Sequence, residues 1–142
     1  MSVTKITANF LARHLEAGCG AFGAGELAFL ALTSKIELPV RDRLAWSLYK
    51  ELWPGSVVAR EWRRIDLAIL PEGHADEPDA LIQAKALYTF DLATSLSLRN
   101  YEVAVRADIG KASAVSSKDT KTFAARRCRP DEPDSARVPC NR

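Results

Sequence analysis

The sequence predicts an α/β fold on three observations. Up to about residue 52, apolar residues recur at intervals of three and four, the helical period. From Ser56 to Leu87 the chain breaks into short runs of Val, Ile, Leu and Ala separated by turn residues, which is the pattern of strands. Beyond Asp91, apolar and charged residues again share a helical spacing as far as Ile109. Helices flanking a short group of strands place a sheet against helical layers.

Composition bounds what the chain can be. Its 142 residues suffice for one domain with a real core and are too few for two comfortable ones. The net charge of +2 is too small to identify a nucleic-acid partner by itself. Cys19, Cys128 and Cys140 are widely spaced, with no CxxC and no nearby His pair. They offer neither a zinc signature nor a disulfide framework, so a reducing, cytoplasmic setting is expected. No apolar run reaches membrane-spanning length, and the N-terminus carries an amphipathic pattern with Arg13, His14 and Glu16 rather than a signal-peptide core, so no membrane partner is expected.

A first helix is expected from about Thr4 to Ala17, capped by Thr4, with Ile6, Phe10, Leu11 and Leu15 on one face. Gly18, Gly20, Gly23 and Gly25 end it. They lack GxGxxG spacing and a Gly-Lys-Ser/Thr sequel, so they read as a connector rather than a phosphate cradle. Leu27, Leu30, Ala31 and Ser34 mark a short helix. Pro39 suits the first turn of a longer one, whose Val40, Leu44, Leu48 and Leu52 form an apolar stripe flanked by Trp46 and Tyr49, with all these positions read as core. Trp53-Pro54-Gly55 stops that helix.

Ser56–Trp62 and Ile65–Leu70 read as strands. The junction at Trp62-Arg63-Arg64 has no Gly or Pro, which leaves a tight turn and a bulged continuous strand both open. Pro71-Glu72-Gly73 through Pro78-Asp79 separates the second strand from a third, Ala80 to Leu87. Asp91 then caps a helix carrying Leu92, Leu96, Leu98, Val103, Val105 and Ile109, with Arg99, Glu102, Arg106 and Asp108 polar and a kink or break allowed at Asn100-Tyr101. Lys111 to Arg142 contains no Leu, Ile, Met, Trp or Tyr, and such a segment is expected to be mostly disordered.

The candidate chemistry lies on the second and third strands. Strand side chains alternate faces, so Gln83 and Lys85 share one, and hairpin pairing brings Asp66 beside them. A carboxylate and an amide oxygen there can hold a divalent cation. Lys85 can serve an attacking water or stabilise developing negative charge. An Asp and a Lys are also ordinary residents of a solvated strand face. Arg60, Arg63 and Arg64 sit close by in the chain and suit phosphate contacts, or form an exposed basic strand end. Glu61 is a further carboxylate that either joins the patch or pairs with Arg63. His14 and His74 read as helix surface and hairpin loop, and no Ser-His-Asp set is visible.

Ile65-Asp66, a loop, then Gln83-Ala84-Lys85 resembles the PD-(D/E)xK nuclease superfamily, the restriction-endonuclease-like fold, over roughly residues 25–111. Ile65 stands where the family has Pro, and Gln83 where Asp or Glu is usual; the Mrr-type restriction endonucleases look similar in using Gln-x-Lys. The resemblance implies a restriction-endonuclease-like core: N-terminal helices, a short mixed sheet with a central hairpin, and a following helix. It implies a catalytic set of Asp66, Gln83, Lys85 and Glu37, with Asp66 and Gln83 on Mg²⁺ or Mn²⁺. Glu26 and Asp42 compete with Glu37 for the family's helix-borne acid, and Glu37, just before Pro39, matches best. DNA is the implied partner, contacted by Arg60, Arg63 and Arg64, and a homodimer is compatible with it. Family members carry at least one more strand after the last helix, for which this sequence offers no convincing candidate.

The chain then divides into an N-terminal helix with its connector (residues 1–24), a nuclease-like core (25–111) and a disordered tail (112–142). The leading expectation is a metal-dependent DNA endonuclease that hydrolyses phosphodiesters. The alternative is an inactive nuclease-fold protein serving as a nucleic-acid-binding or protein-interaction module, favoured by the neutral Gln83 and the missing strand. A regulatory or structural protein is a third reading, favoured by the near-neutral charge.

Overall fold

The computed structural model describes residues 5–86, 95–117 and 119–127. They form α1 (Ala8–Gly20), α2 (Glu26–Thr33), α3 (Glu37–Leu52), β1 (Ser56–Trp62), β2 (Ile65–Pro71), β3 (Ala80–Ala86), α4 (Ser95–Val115) and β4 (Lys121–Arg127). The sheet order is β1-β2-β3-β4. The first three strands form an antiparallel meander, and β4 joins β3 in parallel, which makes the sheet mixed. A parallel neighbour requires a crossover, and α4 supplies it.

The apolar stripe of the longest N-terminal helix does what its period dictates: Val40, Leu44, Leu48 and Leu52 are all buried in α3. Helix α1 packs against α3 through Phe10 and Leu11, with Ile6 just before it in the same cluster, and is capped by Thr7, whose Oγ1 accepts the Phe10 N–H at 3.2 Å. Thr4, expected as the cap, lies outside the described residues. The glycine stretch is partly helical, since α1 runs to Gly20. A Cβ on Gly18 would stand 3.1 Å from the Arg43 carbonyl carbon, so a side chain there would force α1 and α3 apart.

Strand β2 reads as a continuous apolar run because both its faces are covered. Leu67 and Ile69 pack with Ala80 and Ile82 beneath α1 and α3. Ala68 and Leu70 pack with Leu81 and with Ala112 of α4 on the opposite face. Burying each large aliphatic side chain in these layers contributes about 1.5–3 kcal/mol.

Several expectations need correction. The final strand exists. β4 pairs with β3 along its whole length, from Ala80↔Lys121 to Ala86↔Arg127. This strand and the end of α4 fall within the stretch expected to be disordered, and residues 128–142 lie outside the described ones. Phe123 of β4 packs on the core, and the strand pairs with β3 along its length, while its hydrophobic signal in the sequence is faint. Helix α4 runs unbroken through Asn100-Tyr101. The helix buries Asp108 and Ala112, while Leu98, Val103 and Ile109 stay exposed. The expected cap Asp91 and the neighbouring Leu92 lie outside the described residues. Trp46 is exposed, stacked on Tyr49 with ring centroids 5.7 Å apart, rather than in the core. Helix α2, apolar on all sides, buries no residue.

The β1–β2 junction is a tight turn. Trp62 pairs with Ile65, and both residues between them have positive φ, 48° at Arg63 and 69° at Arg64. This is the twist that two-residue hairpins favour, but Gly or Asn usually supplies it. Two arginines in left-handed backbone carry strain of about 1–2 kcal/mol each. Arg64→Gly should therefore raise stability by about 0.5–1 kcal/mol after the added chain entropy of glycine is subtracted. A thermal melt reads this as a rise of a few degrees, and an unchanged or lower midpoint would show that the turn is not strained there.

Candidate functional site

The sheet opens where β2 and β3 part. Their ladder runs from Ile69↔Ala80 to Leu67↔Ile82. In the same register the next pair would be Asp66 and Gln83. Instead, the Asp66 side chain enters the gap and its Oδ2 accepts the Ala84 N–H at 2.8 Å. Meanwhile β3 stays paired with β4 to its end. Leu81 lies on the α4 face, so by strand alternation Gln83 and Lys85 lie there too. Both line a cavity beneath α4. Asp66, Gln83 and Lys85 thus lie together at one fork of the sheet.

Lys85 has a partner that the sequence did not announce. Its Nζ lies 3.0 Å from Oδ2 of Asp108, whose Oδ1 accepts from Lys111 Nζ at 2.8 Å. Burial alone would lower the Lys85 pKa, but the hydrogen bond and charge of Asp108, then the charges of Glu37 and Asp66, hold it above the ordinary lysine value. Burial would raise Asp108, and the two lysines reverse this and hold it below the usual carboxylate range. Asp108 had been read as part of the polar surface of its helix; it is buried. The signal was its spacing, since Tyr101, Val105, Asp108, Ala112 and Val115 form one helical stripe.

Asp66 is pushed the other way. Burial raises its pKa above the ordinary value, against the Ala84 N–H and the positive charges of Lys85 and Arg41, and the Glu61 carboxylate adds to the rise. Glu61 lies between the Arg60↔Leu67 and Trp62↔Ile65 pairs, itself unpaired in the ladder and at a positive φ of 56°. Its carboxylate pairs with the buried Arg41 of α3 rather than with Arg63. Glu37 begins α3, close enough for its charge to act on Lys85.

The other expected residues are spread around this fork. Arg60 Nη1 pairs with Asp42 Oδ2 at 3.2 Å, and Arg63 Nη2 with Asp76 Oδ1 at 2.6 Å, while Arg64 is exposed in the turn. Glu26 accepts the Gly23 N–H at 2.7 Å and so is committed to the connector. His14, expected on a helix surface, is buried between α1 and α3. Its Nδ1 lies 2.8 Å from Ser47 Oγ and its Nε2 3.1 Å from Glu51 Oε2. This hydroxyl–imidazole–carboxylate series resembles a nucleophile with its base. Ser47 lies inside α3, where backbone N–H groups are committed to the helix and none is left to form an oxyanion hole.

Among the described residues, no group of three or more His, Cys, Asp or Glu side chains could hold a metal ion. The donors at the fork are the Asp66 carboxylate, whose Oδ2 accepts the Ala84 N–H, and the Gln83 amide oxygen. That set fits Mg²⁺, which binds through one or two protein carboxylates and fills its other positions with water and phosphate. No helix among the described residues is long and apolar enough to cross a membrane. Comparison of the chain with protein-family models, with curated proteins and with solved structures returned no match.

The half-buried Asp66 and the buried Asp108 should respond oppositely to substitution and to pH. The raised pKa of Asp66 means that the fold binds its proton more tightly than the unfolded chain does, so its ionisation lowers stability as pH rises past the unfolded value. The lowered pKa of Asp108 means that its contribution is present above the unfolded value and is lost as pH falls towards the folded one. At pH 7, Asp66→Asn should keep or raise the melting temperature, because the amide oxygen still accepts the Ala84 N–H, and the difference should close in acid. Asp108→Asn should cost about 1–3 kcal/mol, leaving a half-buried ammonium without its counter-charge. Melting curves of both variants at pH 4 and 7 check this, and a destabilised Asp66→Asn at pH 7 would reverse the assigned charge balance.

Proposed function

We propose that this chain is a metal-dependent phosphodiesterase with a restriction-endonuclease-like core, acting on DNA. The observation that carries the reading is the Asp66 carboxylate seated in the fork between β2 and β3, beside a Gln83-x-Lys85 pair on the α4 face. The order of helix, three-strand meander, helix and further strand agrees with what the resemblance implies.

Asp66 and Gln83 would hold Mg²⁺, or Mn²⁺ in its place. When bound, such an ion neutralises charge on phosphate oxygen and acidifies a coordinated water. Lys85 meets the phosphate or the water as an ammonium, since Asp108 and its other acidic neighbours keep it protonated. Glu37 acts on Lys85 through its charge and is the outer acid of the set. Arg60 and Arg63 are held by exposed carboxylates, and such pairs are worth about 0–1 kcal/mol, so phosphate can displace them. Arg64 adds a third positive charge on the same hairpin.

A second reading is an inactive nuclease-fold protein that binds nucleic acid or a protein. The lack of a three-acid group among the described residues and the neutral Gln83 favour it.

Plasmid and single-stranded DNA, with and without Mg²⁺, separate the two. Lys85→Ala should lower Mg²⁺-dependent cleavage by about 10²-fold or more. It should leave the fold intact, because Asp108 retains Lys111. Equal cleavage by wild type and variant would mean a contaminant, and DNA binding without cleavage in any divalent ion would favour the inactive module.

Gln83→Glu replaces an amide dipole with a full negative charge at similar reach. Calorimetry at pH 8 should show tighter Mg²⁺ binding. Unchanged affinity would remove Gln83 from the metal site.

A further inference from the structure

The cavity beneath α4 is larger than a phosphate and its metal require. It has a volume of about 480 Å³, within the range of pockets that enclose small organic molecules. Gln83 and Lys85 of β3 form one side, Ala124 of β4 lies next to them, and Leu98, Tyr101 and Val105 of α4 close it. Gln83 is only 6% exposed, and its residue lines the cavity. A polar group at a cavity wall is satisfied by water or by a ligand that offers a complementary group. Arg106 stands at the rim, exposed, with its guanidinium on Glu102 at 2.6 Å.

We propose that this cavity is a nucleobase subsite: it receives one base, turned out of its strand, from the nucleotide next to the phosphate at the Asp66 fork. The inference rests on the phosphodiesterase reading for the identity of the strand. The chemistry matches a base on three sides. Aliphatic walls and the Tyr101 ring favour a flat heteroaromatic ligand, which gains by stacking and by leaving water. The Gln83 amide nitrogen presents its N–H groups to an acceptor on a base edge, while its oxygen is the atom that serves the metal. Lys85 and Arg106 lie where the attached phosphates carry their charge. The cost of unstacking is lowest in single strands and at mismatches, so such substrates should be preferred to intact duplex.

The test compares the four deoxynucleoside 5′-monophosphates with 2-deoxyribose 5-phosphate, titrated into the full chain in the presence of Mg²⁺. At least one nucleotide should bind about tenfold or more tightly than the baseless sugar phosphate. Val105→Trp, which fills the cavity from α4, should remove that difference while sugar-phosphate binding stays. Leu98→Trp serves as a second filler, with circular dichroism checking that each variant folds. Equal binding of all five ligands, or a base preference that survives filling by a folded variant, would overturn the subsite. Cleavage of DNA without base-dependent binding would overturn the subsite and leave the phosphodiesterase reading standing. Base-dependent binding without cleavage in any divalent ion would support the subsite and defeat that reading.

Discussion

The hydrogen bond from the Ala84 N–H to the Asp66 carboxylate is where the fold and the candidate site meet. A strand that leaves its neighbour exposes backbone donors and acceptors, and a buried donor without a partner is costly. Here the gap that opens after Leu67↔Ile82 is closed by a side chain instead of a strand. The same oxygen acceptor that repairs the sheet is held at a fixed place on its face, with Gln83 and Lys85 on the adjacent strand. β4 makes this possible, because it keeps β3 straight and paired beyond the point where β2 turns away. Without that ladder, the end of β3 carrying Gln83 and Lys85 would have no neighbour to fix it.

The charges around the fork form two tiers. Arg41 is buried on α3 and grips Glu61, whose charge acts on Asp66, while Lys85 is gripped by Asp108 on α4. Each functional group thus has a counter-charge supplied by a different helix. The left-handed backbone at Glu61 belongs to this arrangement, since a residue in that conformation carries strain that its surroundings must offset. The ion pair with Arg41 is the interaction that holds it.

Much of the fold was legible because its signals are periodic. The α3 stripe, the three strand runs and the turn at Pro71-Glu72-Gly73 were readable because burial on one or two faces writes itself into the spacing of apolar residues. The parts that were not legible share another cause. β4 is an edge strand rich in basic residues whose clearest core contact among the described residues is Phe123, so apolar content could not reveal it. α4 turns Asp108 and Ala112 inward, where a reading based on large apolar residues looks for Leu and Val. The turn at Arg63-Arg64 lacks the residues that announce positive φ. The placement of Gln83 and Lys85 on one face beside Asp66 was readable from alternation, but the neighbouring charges of Arg41 and Asp108 were not, because those come from helices brought near only by the packing of three layers.

A neutral residue at position 83 follows from this electrostatic setting. Asp66 is already pushed towards its protonated form by burial and by Glu61. A second carboxylate beside it would raise both pKa values further, since two like charges at one site cannot both ionise freely. With an amide there, Asp66 keeps its charge at a lower pH and Lys85 is shared with fewer acids. The compensation is a weaker hold on any cation, because a dipole replaces a charge. On the proposed reading, the fork would trade cation affinity for an ionised Asp66 without metal, which is the state in which its oxygen accepts the Ala84 N–H most strongly. A metal site built this way would depend on a substrate phosphate to complete the coordination of a divalent ion, so under that proposal metal and DNA should bind together more strongly than either does alone.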